Sequence, residues 1–199
     1  RFLVTAEAYH IPVRILINKT DIYDDKLKKQ LAVVIETYQS AGYECFPISA
    51  LNKNSLDDIS DLFANSINLM AGNSGVGKST LINSLEPKLN IKTNEVSSHH
   101  ETGKHTTTFA EMHRLKNGGF IIDTPGLKSF STYDMEKEDL SHRFPEMRKV
   151  MDQCQFGNCQ HINEPNCAVL AALESGEIAK TRYRNYLDIY NSDEVEGFR

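Results

Sequence analysis

The sequence predicts an α/β domain with a doubly wound, mostly parallel sheet over residues 1–132, followed by a small helical module over residues 133–199. Short apolar segments alternate with segments of helical periodicity in the first part, as in a parallel sheet covered by helices. A glycine-rich loop lies between one such strand and the following helix. Beyond Ser131 the strand pattern stops, and three cysteines fall within the fourteen residues 154–167.

The predicted elements follow in order along the chain. Segments with the length and composition of strands are 13–17, 43–46, 67–71, 107–115 and 120–123. Helical spacing of apolar side chains predicts helices over 27–41, 56–63, 78–85, 137–151, 168–174 and 178–190. Gly42 stands where a helix C-cap belongs, and residues 116–119 predict a tight turn. The polar segment 89–105 lacks periodicity and predicts a loop.

Composition excludes several classes of protein. A net charge of -5 and a sequence pI of about 5.8 argue against a basic nucleic-acid-binding domain. There is no run of eighteen apolar residues and no signal-peptide pattern, so we expect no membrane span and a cytoplasmic location. Four cysteines are too few for a secreted disulfide scaffold and favour a cytosolic metal site. The chain opens with Arg1 rather than Met, so we expect a preceding region.

Residues 72–79 carry the Walker A pattern, Gly-x4-Gly-Lys-Ser, between a predicted strand and a predicted helix. Glycines let backbone N–H groups point at phosphate oxygens, and the helix N-terminus adds partial positive charge. Lys78 is expected to bridge the β- and γ-phosphates, and the Ser79 hydroxyl to bind Mg²⁺. The predicted nucleotide contacts of this segment are Asn73, Ser74, Gly75, Val76, Gly77, Lys78, Ser79 and Thr80.

Two downstream segments are expected to sense the γ-phosphate. Asp123 begins an Asp-x-x-Gly pattern, in which its carboxylate would hold Mg²⁺ through water and the Gly126 N–H would meet the γ-phosphate. The same four residues also suit a plain turn. Among Thr106–Thr108, one hydroxyl is expected on Mg²⁺. Thr107 is favoured, although the triple leaves the choice open, and a threonine-rich strand start is the alternative.

A guanine-reading motif, Asn-Lys-x-Asp, follows the first predicted strand. Asp21 can accept hydrogen bonds from guanine N1–H and the 2-amino group, whereas adenine would leave its carboxylate unpaired. Asn18 is expected to contact the base edge and hold neighbouring loops, and the Lys19 stem to lie along the base plane. Ser49 and Ala50 match the loop whose Ala N–H meets guanine O6. Together these residues favour GTP over ATP.

The cysteine cluster has the pattern Cys154-x4-Cys159-x-His161-x5-Cys167. Three thiolates and one imidazole make a full tetrahedral set for structural zinc, with no open position for catalysis. Metal binding would then supply much of the folding energy of a module with little core of its own. The alternative is three structural or redox cysteines beside an unrelated histidine. Cys45 lies in a predicted strand and is expected to be buried.

The order of these motifs is unusual, because the guanine-reading motif precedes the phosphate loop by about fifty residues. In an ordinary small GTPase the phosphate loop comes first, so the order indicates a circular permutation. With this order the chain resembles the RsgA (YjeQ) family, circularly permuted GTPases that act on the small ribosomal subunit. The resemblance covers nearly all 199 residues and rests on segments 17–21, 72–79, 103–108, 123–126, 144–146 and 154–167.

This resemblance implies a Mg²⁺-dependent, P-loop GTPase with low intrinsic turnover, stimulated by the small subunit and acting in its late maturation. It implies contact with rRNA, zinc on the four cluster residues, and an N-terminal OB-fold domain without a counterpart here. A monomer is expected. One alternative is a nucleotide-gated ribosome- or RNA-binding module with incidental hydrolysis, and another is a zinc-stabilised RNA adaptor with vestigial GTP binding. Residues 180–186 mix basic and aromatic side chains and suit either an RNA contact or a half-packed helix face.

His105 is the candidate for positioning the attacking water. Many small GTPases place a glutamine directly after Asp-x-x-Gly, but that position here is Leu127, which cannot hydrogen-bond water. We expect His105→Ala to keep GTP affinity and to lose most of the turnover stimulated by small subunits, measured as phosphate release. Full stimulated turnover in this variant would contradict the role.

Overall fold

A computed structural model describes residues 1–91, 111–123 and 136–192. The helices in these ranges are α1 (Phe2–Ala8), α2 (Asp25–Ser40), α3 (Lys53–Ser60), α4 (Lys78–Leu85), α5 (Pro145–Arg148), α6 (Ala168–Ser175) and α7 (Lys180–Tyr190). The strands are β1 (Arg14–Ile17), β2 (Glu44–Pro47), β3 (Ile67–Met70), β4 (Glu111–Arg114) and β5 (Phe120–Asp123). Short 3₁₀ helices cover Thr20–Ile22, Asp61–Phe63, Lys137–Arg143 and Met151–Gln153.

Most elements lie close to their predicted positions, with two differences. Helix α1 was not predicted, since the first eight residues are too few to show a clear periodicity. The helix predicted over 137–151 is broken into a 3₁₀ helix, the short α5 and a second 3₁₀ helix. Pro145 causes one break, because it has no backbone N–H and begins α5 at its first position. Of the strand predicted over 107–115, the described part forms β4.

The chain divides into two compact units by packing. The first unit contains Arg1–Ile15, Asp25–Cys45 and Ser129–Arg199, and the second contains Leu16–Asp24 and Phe46–Lys128. This division follows contacts rather than chain order, so each unit draws on separate stretches of sequence. The predicted domain boundary after residue 132 divides the chain by position in the sequence, whereas these units are divided by packing. The boundary stays a prediction.

The core of the first unit forms around α7 and the helices of the C-terminal module. Tyr186 is fully buried and packs edge-to-face on Phe144, with ring centroids 5.5 Å apart. Burial of this apolar surface against α1 and α6 stabilises the unit. The buried residues of this core are Val4, Leu140, Phe144, Met147, Val150, Cys167, Val169, Ala172, Ile178, Tyr186 and Ile189.

The second unit is built on a three-stranded sheet in the order β3-β5-β4. Strand β3 pairs with β5 in parallel, with Met70 opposite Asp123, while β4 and β5 form an antiparallel hairpin. Ile121 of β5 and Ile82 of α4 are fully buried in the core of this unit. The parallel pair places the ends of β3 and β5 at one edge of the sheet, which is where ligand-binding loops collect in α/β folds. Strands β1 and β2 pair in a separate two-stranded sheet.

No helix within residues 1–91, 111–123 and 136–192 is long and apolar enough to cross a membrane.

Gly119 is required by close packing beside the β4–β5 turn. A Cβ at this position would collide with the carbonyl oxygen of Phe63, which is backbone and cannot move aside easily. We expect Gly119→Ala to lower the free energy of unfolding by about 2 kcal/mol, measured by urea denaturation. Gly157→Ala is the matched control, since a Cβ there would meet nothing within 4 Å. Equal stability of the two variants would contradict this packing argument.

Candidate nucleotide site and metal centre

The phosphate loop connects β3 to α4 and is shaped by glycines. Gly75 and Gly77 have φ angles of +79° and +97°, in the left-handed region. Gly77 is also the N-cap of α4, and a Cβ there would collide with the side-chain amide of Asn18. A larger residue at Gly77 would therefore strain the loop and push away the guanine-reading motif.

The Lys78 ammonium group is hydrogen-bonded to the backbone of the loop. Its Nζ donates hydrogen bonds to the carbonyl oxygens of Gly72 and Asn73, at 2.6 and 3.0 Å. The ammonium group therefore sits against the loop at the N-terminus of α4, where the helix dipole also favours an anion. Ser79 and Thr80 follow in the first turn of α4 and are half-buried.

Asn18 joins three segments that are far apart in sequence. Its Oδ1 accepts a hydrogen bond from the Ala50 N–H at 2.9 Å, and its Nδ2 donates to the Val76 carbonyl at 3.0 Å. Lys19 Nζ adds a bond of 2.7 Å to the Gly75 carbonyl. Residues 18–19 of the predicted guanine-reading motif are thus hydrogen-bonded both to the phosphate loop and to the Ser49–Ala50 loop.

A cleft of about 240 Å³ lies between these segments. Its lining residues are Asn18, Lys19, Asp21, Ile22, Ser49, Ala50, Leu51, Gly77 and Thr80. Two of them, Ile22 and Leu51, were not predicted from the sequence. Both are large apolar side chains with 68% and 77% exposure, placed where a flat base would cover them. The sequence feature that could have identified them is that each directly follows a predicted base-reading residue.

Asp123 lies at the end of β5, opposite Met70. Met70 leads through Ala71 into the phosphate loop, and the two strands are parallel, so the Asp123 carboxylate lies at the loop's edge of the sheet. Three other predicted site residues, His105, Thr107 and Gly126, lie outside the described residues.

The predicted metal ligands converge in the first unit. The sulfur and nitrogen atoms of Cys154, Cys159, His161 and Cys167 all lie within 4.8 Å of one another. Cys154 Sγ is 3.9 Å from Cys167 Sγ, and His161 Nδ1 is 3.6 and 3.4 Å from these two sulfurs. Tetrahedral zinc with ordinary bond lengths separates two sulfurs by about 3.8 Å and sulfur from nitrogen by about 3.6 Å. A disulfide would need about 2.05 Å, so the donor set fits zinc and not a cystine.

Burial shifts the pKa of three of these ligands, Cys159, His161 and Cys167. Burial and the neighbouring Cys167 thiol raise the pKa of Cys159 to about 12, and burial also raises the pKa of Cys167. Burial lowers the pKa of His161, which keeps its imidazole neutral at pH 7. Metal binding therefore has to displace protons from the Cys159 and Cys167 thiols but not from the His161 ring.

Glu164 supports the loop that carries His161. Its carboxylate accepts hydrogen bonds from the backbone N–H groups of Gln160, Ile162 and Asn163, at 2.7, 2.8 and 3.0 Å. Burial opposes the charged form, but these hydrogen bonds hold the pKa of Glu164 below its usual value. The ionised carboxylate fixes the backbone that presents the imidazole.

One face of helix α7 packs on this loop, through hydrogen bonds from the Tyr183 and Tyr186 hydroxyls to the carbonyls of His161 and Gln160. Arg182 and Tyr186 are buried, at 4% and 0% exposure. Of the two alternatives for residues 180–186, the half-packed helix face is therefore correct for these two residues, and they make no RNA contact. Lys180 and Arg184 are exposed. Cys45, expected to be buried, is only half-buried.

The fold and the site together define a P-loop nucleotide-binding protein whose base-reading motif precedes its phosphate loop. The model of the RsgA GTPase family matches residues 1–133, and the chain belongs to this family. The predicted family and fold class are confirmed.

Relatives and solved structures agree with this assignment. A small ribosomal subunit biogenesis GTPase RsgA of Bacteroides fragilis (strain YCH46) is 48% identical over all 199 residues, which cover 64% of that relative. The crystal structure of YjeQ from Thermotoga maritima matches the whole chain with a TM-score of 0.81 and 36% identity, over 65% of its own length. The structure of YloQ, described as a circularly permuted GTPase, matches the whole chain with a TM-score of 0.77 and 32% identity, over 62% of its length. This chain thus spans somewhat less than two thirds of its relatives.

We expect the purified protein to hold one zinc ion, measured by elemental analysis, and Cys159→Ser to lose it. Because the pKa values of the Cys159 and Cys167 thiols are raised and the metal has to displace both protons, zinc affinity should rise more than about tenfold per pH unit between pH 6 and 7.5. Cys45→Ser is the control and should keep the metal, since Cys45 is outside the cluster. An affinity independent of pH would show that these thiols do not bind the ion.

Proposed function

We propose that this protein is a Mg²⁺-dependent GTPase that acts on the small ribosomal subunit in its late maturation, with a structural zinc site. The observation that carries the proposal is the double hydrogen bonding of the Asn18 amide to Ala50 and Val76. It joins residues 18–21 to the glycine loop beside one cleft, as a ligand with both a guanine base and phosphates would require. A protein that read only phosphate, or only a base, would have no need of this connection.

Guanine specificity is assigned to Asp21 and to the Ala50 N–H, which donates to Asn18 Oδ1 at 2.9 Å here and would share its hydrogen with guanine O6 when the base binds. Asp21 lines the cleft, and its carboxylate would accept hydrogen bonds from guanine N1–H and the 2-amino group. Neither donor exists on adenine, so an adenine nucleotide would leave the carboxylate without a partner. The apolar side chains of Ile22 and Leu51 would cover the faces of the base.

The triphosphate would be held by the phosphate loop. Lys78 would exchange its bonds to the Gly72 and Asn73 carbonyls for bonds to phosphate oxygens, at the positive end of α4. Hydroxyl and carboxylate oxygens are the donors that Mg²⁺ takes, and Ser79 and Asp123 supply them at the edge of the sheet. We assign a second hydroxyl to Thr107. When bound, the ion would neutralise charge that develops on the phosphate oxygens.

Hydrolysis requires water to attack the γ-phosphorus while the bond to the leaving GDP oxygen breaks. We assign the positioning of this water to His105 and the recognition of the γ-phosphate to Gly126, through its backbone N–H. Leu127 occupies the position of the usual glutamine. Slow intrinsic turnover follows unless a partner improves the positioning of this water.

The partner is inferred from relatives of high identity. Two proteins that are 48% identical to this chain, from Bacteroides fragilis and Christiangramia forsetii, carry the name small ribosomal subunit biogenesis GTPase RsgA. We therefore propose the small subunit and its rRNA as partners. The monomeric state and the cytoplasmic location expected from the sequence stay predictions.

Asp21→Asn should exchange guanine for xanthine specificity. The amide NH2 of asparagine can donate to the 2-carbonyl of xanthine. It takes the place of the carboxylate oxygen that would accept a hydrogen bond from the guanine 2-amino group. We expect GDP affinity to fall at least about a hundredfold and the affinity for xanthosine diphosphate to rise, measured by titration calorimetry. Asp57→Asn, an exposed aspartate on α3, should change neither value. Unchanged GDP affinity in Asp21→Asn would contradict the assignment of the cleft.

Turnover of GTP with and without purified small subunits tests the activity. We expect slow phosphate release by the protein alone and a large increase on adding subunits, abolished by Lys78→Ala. Binding of GTP without any stimulation would favour a nucleotide-gated RNA-binding module, for which Leu127 is the supporting feature. Failure to bind GTP would favour the zinc-stabilised adaptor.

A further inference from the structure

The backbone around His161 is held by side chains that are not metal ligands. His161 lies in the histidine loop, residues 159–164. Tyr183 Oη donates to the His161 carbonyl and Tyr186 Oη donates to the Gln160 carbonyl, each at 2.7 Å. The Glu164 carboxylate accepts from three backbone N–H groups of the same loop. Carbonyls and N–H groups of this loop are thus bonded to protein groups that a metal on the cluster would not touch.

His161 needs this support because its backbone is strained. Its φ angle is +57°, in the left-handed region that residues other than glycine seldom adopt. Such a conformation persists only where surrounding contacts over-determine it. The buried imidazole that it presents has Nδ1 at 3.6 and 3.4 Å from the sulfurs of Cys154 and Cys167. Hydrogen bonds to the backbone of the loop therefore place the ring beside two of the thiols.

The two tyrosines are anchored in the core of the first unit. Tyr186 is fully buried, and its ring packs edge-to-face on Phe144. Tyr183 lies three residues earlier on α7, with its ring centroid 6.1 Å from that of Tyr186. The loop, the helix and this core all belong to the first unit. The two donors are thus positioned by the packing of aromatic and apolar side chains.

The segments that carry two of the cysteines are joined by similar bonds. Asn166 Nδ2 donates to Gln155 Oε1 at 2.7 Å, and the Gln155 N–H donates to the Asn166 carbonyl at 3.4 Å. Gln155 directly follows Cys154, and Asn166 directly precedes Cys167. These bonds hold the two cysteines near one another without any contribution from a metal.

We propose that Glu164, Tyr183 and Tyr186 are positioning residues for the metal, and that they hold the histidine loop in its metal-binding conformation before zinc binds. The inference rests on the proposed function, which assigns zinc to this cluster. It reverses the expectation from the sequence that metal binding supplies much of the folding energy of the module. The first unit folds around its own apolar core, and zinc enters a site that the protein has already built.

Hydrogen exchange of the zinc-free protein tests this order of events. Zinc is removed by a chelator with the thiols kept reduced, and the backbone amides are followed by NMR. We expect the Gln160 and Ile162 amides, which donate to Glu164, to exchange at least about a hundredfold more slowly than in an unfolded chain. Exchange of both amides at the unfolded rate, with protection regained when zinc is returned, would show that the metal organises the loop and would overturn the proposal.

Tyr183→Phe tests the positioning role, because it removes one hydroxyl and keeps the ring. We expect zinc affinity to fall about tenfold, measured by competition with a chelator. A loop that is in its binding conformation for only about a tenth of the time binds zinc correspondingly more weakly. The protection of the Ile162 amide in the zinc-free variant should fall as well.

A second variant and a matched control accompany this substitution. Glu164→Gln should also lower zinc affinity at least about tenfold, since it removes the charge that the backbone N–H groups share. Tyr190→Phe is the control on the same helix. The Tyr190 ring packs on Tyr186, and within the described part of the chain its hydroxyl makes no bond to the histidine loop. This control should keep the zinc affinity and the amide protection of the unmodified protein.

Thermal unfolding shows that each variant is folded. Folded Tyr183→Phe and Glu164→Gln proteins with unchanged zinc affinity would overturn the positioning role. Weaker zinc binding by Tyr183→Phe with an equally protected Ile162 amide would also overturn it, since the loop would then keep its conformation without this bond. An unmodified protein that binds no zinc would contradict the proposed metal centre itself, and the exchange measurement distinguishes the two failures because it is made without zinc.

Discussion

The hydrogen bonds of the Asn18 carboxamide fix the geometry on which the nucleotide site depends. One side chain supplies both a donor to the phosphate loop and an acceptor to the Ala50 N–H. The distance between the phosphate subsite and the base subsite is therefore set by a single planar group. Gly77 is part of the same arrangement, because the space that its Cβ would take is occupied by the Asn18 amide. Neither segment could change without the other.

This constraint also explains why the unusual order of the motifs is tolerated. Hydrogen bonds depend on where atoms lie and not on the order in which the chain supplies them. The parallel pairing of β3 and β5 places the phosphate loop and Asp123 at one edge of the sheet, and Asn18 fastens the earlier motif to the loop. A permuted chain thus keeps this arrangement of loops as long as it preserves these few contacts.

The sequence predicted those parts of the site whose chemistry lies in short spacings. The Walker A loop, the Asn-Lys-x-Asp motif and the Cys-His cluster each need particular residue types at fixed separations, so the pattern itself carries the information. Long-range burial is not carried in this way. Arg182 seemed available to solvent or RNA because its partners Glu146, Tyr38 and Tyr43 are distant in sequence. Ile22 and Leu51 carry no such pattern in the sequence, and only the folded cleft shows that they line it.

The division into two packed units gives the base-reading residues a particular place in the chain. The chain passes from one unit to the other between residues 15 and 16, 24 and 25, and 45 and 46. The Asn18–Asp21 motif lies between the first two of these points, and Ser49–Ala50 follows the third by a few residues. The phosphate loop, in contrast, lies well inside the second unit. Residues 18–21, 49–50 and the glycine loop thus belong to one unit although the chain leaves that unit between residues 24 and 46. Their common placement is specified by the hydrogen bonds of Asn18 within the unit and not by the order of the chain.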